Sequence, residues 1–204
     1  NLHWENKEEN RRSLEKKILA IEKTELCILP EMFSTGFSMN PSGLAETMDG
    51  ETVRWMKDIA AKKKIILAGS LIVEEDGNFF NRLVFMLPNG QAGYYDKRHR
   101  FAYAGEDDHY TAGIKRMIAS VKGWRINLQV CYDLRFPELF RRLLDEGAEL
   151  FAVPSAFTMR TGRAHWEVLV RARAVENLVY IIAAAQGGYH LNGRETYGDS
   201  MIVN

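Results

Sequence analysis

Two hydrophobic periods alternate along the chain. Residues 5–22 set Leu14, Ile18 and Ile21 at helical spacing, with charge on the other face. The apolar run 26–29, closed by Pro30, has the length and composition of a buried strand. Residues 52–62 return to the helical pattern through Val53, Met56, Ile59 and Ala60. Strands are expected at 65–73, 81–87 and 93–97, separated by turns at Asp76, Gly77 and Asn78 and at Pro88, Asn89 and Gly90. An irregular stretch follows. A strand over 125–131 then runs into an amphipathic helix over 137–144, with Pro137 in its first turn, where a missing N–H costs nothing. Further strands are expected at 150–154, 179–185 and 197–203, with a helix over 165–177 carrying Trp166, Leu169, Val170 and Ala174 on one side.

Strands that alternate with helices of this length predict an α/β fold with mixed strands. The chain has 204 residues, 46% of them hydrophobic, and no low-complexity tract or repeat marks a linker, so one domain over 1–204 is expected. Lysine plus arginine and aspartate plus glutamate number 27 each. That balance gives no support for nucleic acid or an acidic membrane surface as a partner. No apolar run approaches the roughly 18 residues of a membrane span, and only two cysteines occur, Cys27 and Cys131. A cytoplasmic, reducing setting without a disulfide is the expectation. The chain opens on Asn1 without an initiator methionine and stops inside a strand-like stretch. Segments at both ends are therefore expected to be missing.

Three residues carry chemistry at strand ends, the edge where ligand sites collect in α/β sheets. Glu31 follows an apolar strand and Pro30, with Met32 and Phe33 behind it. Those neighbours predict a partly buried carboxylate with a raised pKa, suited to proton transfer. Lys97 ends the strand 93–97; alone, a lysine there is a solvated charge. Cys131 ends the strand 125–131 just ahead of a helix. Backbone N–H groups and a helix N-terminus at such an elbow favour the thiolate and offer donors to an oxyanion. Cys27, inside its apolar run, is expected to be structural.

The segments LPEMFSTGF (29–37), YDKRH (95–99) and VCYDLRFPEL (130–139) together resemble the three signature blocks of the nitrilase superfamily. The similarity extends over nearly the whole chain. Its front half resembles bacterial omega-amidases, and the region from Pro154 to Gln186 resembles deaminated-glutathione amidases. The resemblance implies a four-layer α-β-β-α sandwich and a homodimer or higher homo-oligomer. It also implies a cofactor-free hydrolysis of a small omega-amide of a 2-oxo acid to the acid and ammonia. In that scheme Cys131 is the nucleophile, Glu31 the general base and then acid, and Lys97 the cation near the oxyanion. The backbone N–H of Tyr132 would be a second oxyanion donor, and Glu106 a second glutamate that positions the site. A thioester on Cys131 is hydrolysed in the second half-reaction.

The substrates implied carry a carboxylate at the far end. A guanidinium meets a carboxylate with two parallel hydrogen bonds, which makes Arg135 the first choice of partner; an ion pair with Glu138 is its ordinary alternative. By analogy Phe157 and Thr161 would line the pocket, with core packing the alternative for Phe157. The histidines His3, His99, His109, His165 and His190 are scattered, without zinc-ligand spacing, so no metal is expected. His99 is expected to pack or hydrogen-bond near Lys97. N-carbamoyl amine hydrolysis, or a non-catalytic binding role on the same fold, are the competing readings.

Overall fold

A computed structural model describes residues 1–189 and 193–204; His190 lies outside the described residues. The chain runs through α1 (Lys7–Leu19), β1 (Leu26–Ile28), α2 (Pro41–Leu44), α3 (Glu51–Lys63), β2 (Ile66–Glu75), β3 (Asn78–Met86) and β4 (Ala92–Asp96). It continues through α4 (Glu106–His109), β5 (Ile118–Val121), β6 (Trp124–Leu128), α5 (Pro137–Asp145), β7 (Leu150–Ser155) and α6 (Met159–Thr161). The final elements are α7 (Glu167–Asn177), β8 (Tyr180–Ala185), β9 (Gly187–Tyr189), β10 (Glu195–Tyr197) and β11 (Met201–Val203).

The strands build two principal sheets. One has the order β1-β2-β3-β4, the other β11-β8-β7-β6-β5, and β9 and β10 form a small antiparallel ribbon. β1 runs parallel to β2, and β6, β7 and β8 run parallel to one another. Alternation along the strands decides which side chains face which layer. Ile66, Ala68, Leu83, Phe85 and Tyr95 of the first sheet share a core with Leu128, Ala152, Val153 and Ala183 of the second. Their neighbours Leu67, Leu71, Val84 and Met86 turn the other way, onto Ile18 of α1 and Val53, Met56 and Ile59 of α3. Phe140 of α5 packs on Phe151 of β7 with ring centroids 4.7 Å apart, and Val170 and Ala174 of α7 join the same core. Helices therefore cover the outer face of each sheet, giving the expected α-β-β-α layering.

Four elements differ from the sequence reading. The strand expected to reach Cys131 ends at Leu128, and Cys131 opens a 3-10 turn over Cys131–Arg135. The stretch 197–203 is two strands, because Gly198 and Asp199 have φ of 76° and 63° and turn the chain between them. The region read as irregular contains β5, paired antiparallel with β6. The helix expected from residue 165 begins as α-helix at Glu167, after a π turn over Gly162–Trp166.

Phe140 is fully buried between α5 and β7. Phe140→Ala is expected to lower stability by about 3–5 kcal/mol, read from urea denaturation at unchanged m-value.

Candidate active site

The first sheet delivers a buried charge cluster. The Nζ of Lys97, one residue past β4, lies 2.8 Å from Oε1 of Glu31 and 3.0 and 2.8 Å from the two carboxylate oxygens of Glu106. None of the three side chains is more than 1% exposed. Asn81 of β3 ties the carboxylates together: its Nδ2 donates to Glu31 Oε1 at 2.8 Å and to Glu106 Oε1 at 3.1 Å. The N–H of Phe101 adds a 2.6 Å bond to Glu106 Oε2. Glu106 is thus no exposed loop acid, although Asp107 and Asp108 beside it are exposed.

Backbone placement is as specific as the side chains. The N–H of Lys97 donates to the Asn81 carbonyl at 3.0 Å, and its carbonyl accepts from the N–H of Gly113 at 2.9 Å. A Cβ at Gly113 would stand 2.0 Å from the Asp96 carbonyl oxygen, so only glycine allows that approach. Glu31 sits in the turn after β1, where Ser70 Oγ accepts from the Met32 N–H and Gln186 Nε2 donates to the Glu31 carbonyl.

Burial pushes the Glu31 carboxyl above its usual range; Lys97 opposes the rise, Glu106 reinforces it, and the net direction is up. Burial alone would lower the Lys97 ammonium. The carboxylates of Glu106 and Glu31 outweigh it and hold Lys97 above its ordinary value, fully protonated.

The second sheet delivers Cys131. Val130 is still extended, and Cys131 then takes φ of 43°, a left-handed conformation that costs a non-glycine residue about 1–3 kcal/mol. Asp133 holds the bend. Its Oδ2 accepts from the Val130 N–H at 3.0 Å and the Tyr95 hydroxyl at 2.9 Å. Its Oδ1 accepts from the His99 N–H at 3.0 Å and lies 2.8 Å from His99 Nδ1. His99 also stacks on Phe136, centroids 3.6 Å apart. One carboxylate therefore fastens the cysteine turn to the segment that follows Lys97.

The thiolate is not favoured at rest, contrary to the sequence reading. Burial, reinforced by the Glu31 carboxylate beside the sulfur, raises the Cys131 thiol well above its usual value. Lys97 and the N–H of Ala156 pull the other way without reversing the rise. α5 starts only at Pro137, beyond the 3-10 turn that Cys131 opens, so Cys131 does not stand at the first turn of that helix. The arrangement is a neutral thiol next to a buried carboxylate of raised basicity, itself bonded to a fixed ammonium.

A family model for carbon-nitrogen hydrolases matches residues 2–204. The chain belongs to the carbon-nitrogen hydrolase family. Among its relatives are the omega-amidase YafV of Yersinia enterocolitica, 35% identical over 207 residues, and a deaminated glutathione amidase of a Synechocystis strain, 35% identical over 213. These alignments take in 100% and 96% of this chain and 78% of each relative. The structure also resembles that of a CN-hydrolase superfamily protein from Xanthomonas campestris with an arsenic adduct in its active site. The TM-score is 0.95, at 36% identity over 100% of this chain and 79% of the other. The chain is an amidase of the nitrilase superfamily, a hydrolase of carbon–nitrogen bonds other than peptide bonds.

In this carbon-nitrogen hydrolase a narrow inner pocket is bounded by Glu31, Lys97, Cys131, Tyr132, Arg135, Phe157 and Thr161. Every residue singled out from the sequence except Glu106 touches it, and Glu106 stands directly behind Lys97. Arg135 makes no ion pair with Glu138; its guanidinium meets His165 Nδ1 at 3.0 Å and lies over the rings of Tyr132 and Phe157. Phe157 does both things weighed for it, packing on Trp166 and facing the pocket. Sequence reasoning missed Asn81, Asp133 and Gln186 as site residues. Asn81 was detectable as a polar residue beside the apolar run 83–86, on a position that is buried. Asp133 and Gln186 lay inside segments used for the family resemblance and gave no separate chemical signal.

Asp133 is fully buried with four donors on two oxygens. Asp133→Asn turns an amide N–H₂ toward groups that themselves donate. The variant is expected to lose about 1–3 kcal/mol in urea denaturation and to react more slowly with iodoacetamide at Cys131.

Proposed function

We propose that this amidase cleaves the omega-amide of a 2-oxo dicarboxylic acid through a thioester on Cys131, with 2-oxoglutaramate and deaminated glutathione as the leading substrates. The observation that carries the reading is the Cys131 thiol set against the buried Glu31 carboxylate, which is itself bonded to Lys97 through Oε1. Glu31 Oε2 is buried with no hydrogen-bond partner among the described residues, so that oxygen can take up a proton.

As the sulfur attacks the amide carbonyl carbon, Glu31 takes the thiol proton. Charge moves onto the carbonyl oxygen, where the Lys97 ammonium and the backbone N–H of Tyr132 stabilise it. Glu31 then gives its proton to the leaving nitrogen, the C–N bond breaks, and a thioester remains. Water, deprotonated by Glu31, hydrolyses the thioester and restores the thiol. Glu106 keeps Lys97 charged and in place. Arg135 holds the substrate's far carboxylate, with Phe157 and Thr161 as neighbouring walls. No step requires a metal or a cofactor. The exposed apolar side chains of Val168, Val175 and Leu178 support assembly with a second copy of the chain.

The test is release of 2-oxoglutarate, the acid common to both substrates; the leaving group is ammonia from the first and an amine from the second. Release from either is expected, falling roughly a thousandfold or more in Cys131→Ala. A folded wild-type protein inactive on both would overturn the reading.

Activity should also report the Glu31 shift. A base works only when deprotonated, and the Glu31 carboxyl is raised, so kcat/KM should fall as pH drops through a value above the ordinary glutamate pKa of about 4.3. An acid limb at or below that value would contradict the role given to Glu31.

A further inference from the structure

The guanidinium of Arg135 borders the inner pocket, half-buried, and no carboxylate pairs with it among the described residues. Its hydrogen-bond partner there is His165: Nη2 lies 3.0 Å from Nδ1 of the ring. A guanidinium only donates, so Nδ1 is the acceptor in this contact and carries no proton. The rings of Tyr132 and Phe157 flank the same group, with centroids 5.5 and 5.6 Å from Cζ. Aromatic faces and a neutral acceptor restrict where a guanidinium lies without cancelling its charge. A carboxylate in the place of His165 would cancel it.

The backbone holds His165 for this contact. Gly162–Trp166 form a π turn between α6 and α7, and turns of that kind are frequent at functional sites. Both ends of the turn are fixed. Gly162 lies so close to Tyr197 that a Cβ on it would come within 2.2 Å of the tyrosine Cβ, and its N–H donates to the Thr158 carbonyl at 2.7 Å. Trp166 is fully buried, packs on Phe157 and donates from Nε1 to the Asp199 carbonyl at 2.7 Å. His165 itself is exposed, so its ring adds little to the core. What it reaches is Arg135, at the end of the 3-10 turn that Cys131 opens.

We propose that His165 is a positioning residue for substrate selection: its Nδ1 orients the Arg135 guanidinium and leaves the whole positive charge for the substrate's far carboxylate. The inference rests on the reading above, in which Arg135 holds that carboxylate. Of the five guanidinium N–H groups His165 occupies one, and four remain for the substrate. A freely rotating Arg135 would still attract an anion, but each substrate would have to order the side chain as it bound, which weakens binding. With His165 in place, that ordering is complete once the chain has folded. His165 therefore sharpens selection for amides with a carboxylate at the far end and takes no part in proton transfer at Cys131.

The experiment measures 2-oxoglutarate binding, read as protection of Cys131 against iodoacetamide, together with kcat and KM for 2-oxoglutaramate. His165→Leu removes the acceptor, His165→Asn supplies another neutral one, and His165→Asp supplies a charged one. The leucine variant is expected to bind 2-oxoglutarate about tenfold more weakly and to raise KM by a similar factor. Its kcat, and the alkylation rate of Cys131 without ligand, should stay within about twofold of the wild type. Asparagine should recover most of the affinity, and aspartate should bind more weakly than leucine. A merely structural role would slow the alkylation of unliganded Cys131 and lower kcat as well. Wild-type affinity in His165→Leu overturns the inference, as does an equal loss in the leucine and asparagine variants. No protection of the wild-type protein, or wild-type affinity in Arg135→Met, overturns the role given to Arg135 and the inference with it. Weakened binding in Arg135→Met beside an unaffected His165→Leu overturns the inference alone.

Discussion

The site depends on one buried ammonium held between two buried carboxylates. Lys97 Nζ directs its hydrogens to Glu31 and Glu106 with bonds of 2.8–3.0 Å. Two buried negative charges face one positive, so the cluster carries an excess of one negative charge when both glutamates are ionised. Burial keeps the Glu31 carboxyl raised; Lys97 opposes the rise and Glu106 adds to it. A cluster with a single carboxylate would be neutral and a poorer base. A cluster without the lysine would leave carboxylates unpaired in the core, a situation that costs about 3–5 kcal/mol. Glu106 adds to the rise of the Glu31 carboxyl, and the neutral amide of Asn81 ties the two carboxylates together.

The strained turn at Cys131 has a similar logic. A left-handed cysteine is unfavourable by itself and persists because Asp133 satisfies the donors around it. Anchoring reaches across to Tyr95 and His99, so Cys131 is positioned by the strand and following segment that also supply Lys97.

Much of this was legible in the sequence. Glu31 follows an apolar run and Cys131 ends a predicted strand, which places both at a sheet edge; Lys97, after Gly93, Tyr94, Tyr95 and Asp96, carried weight only alongside the other two. The layer architecture followed from alternating periods together with the family resemblance. What escaped depends on contacts between segments far apart in the chain. Asn81 reads as an ordinary polar residue opening a strand until Glu31 and Glu106 are brought beside it. The thiol's protonation was misjudged because elbow geometry is local, while the dominant influences, burial and the Glu31 carboxylate, come from the packed interior. β5 was missed because it is four residues long and flanked by Lys115, Arg116 and Lys122, which mask its apolar character. The break at Gly198 and Asp199 was masked by apolar residues on either side.

The two halves of the chemistry belong to different sheets. Glu31, Asn81, Lys97 and Glu106 come with β1, β3 and the segment after β4, whereas Cys131, Ala156 and Gln186 follow β6, β7 and β8. Each sheet has its own hydrogen-bonded ladder, yet Glu31 belongs to one and Cys131 to the other. The reaction geometry therefore exists only once the two sheets have docked. A folding intermediate with both sheets formed but still apart would show the strand content of the native protein and no hydrolytic activity. Such a chain could not act on amides before its core had closed.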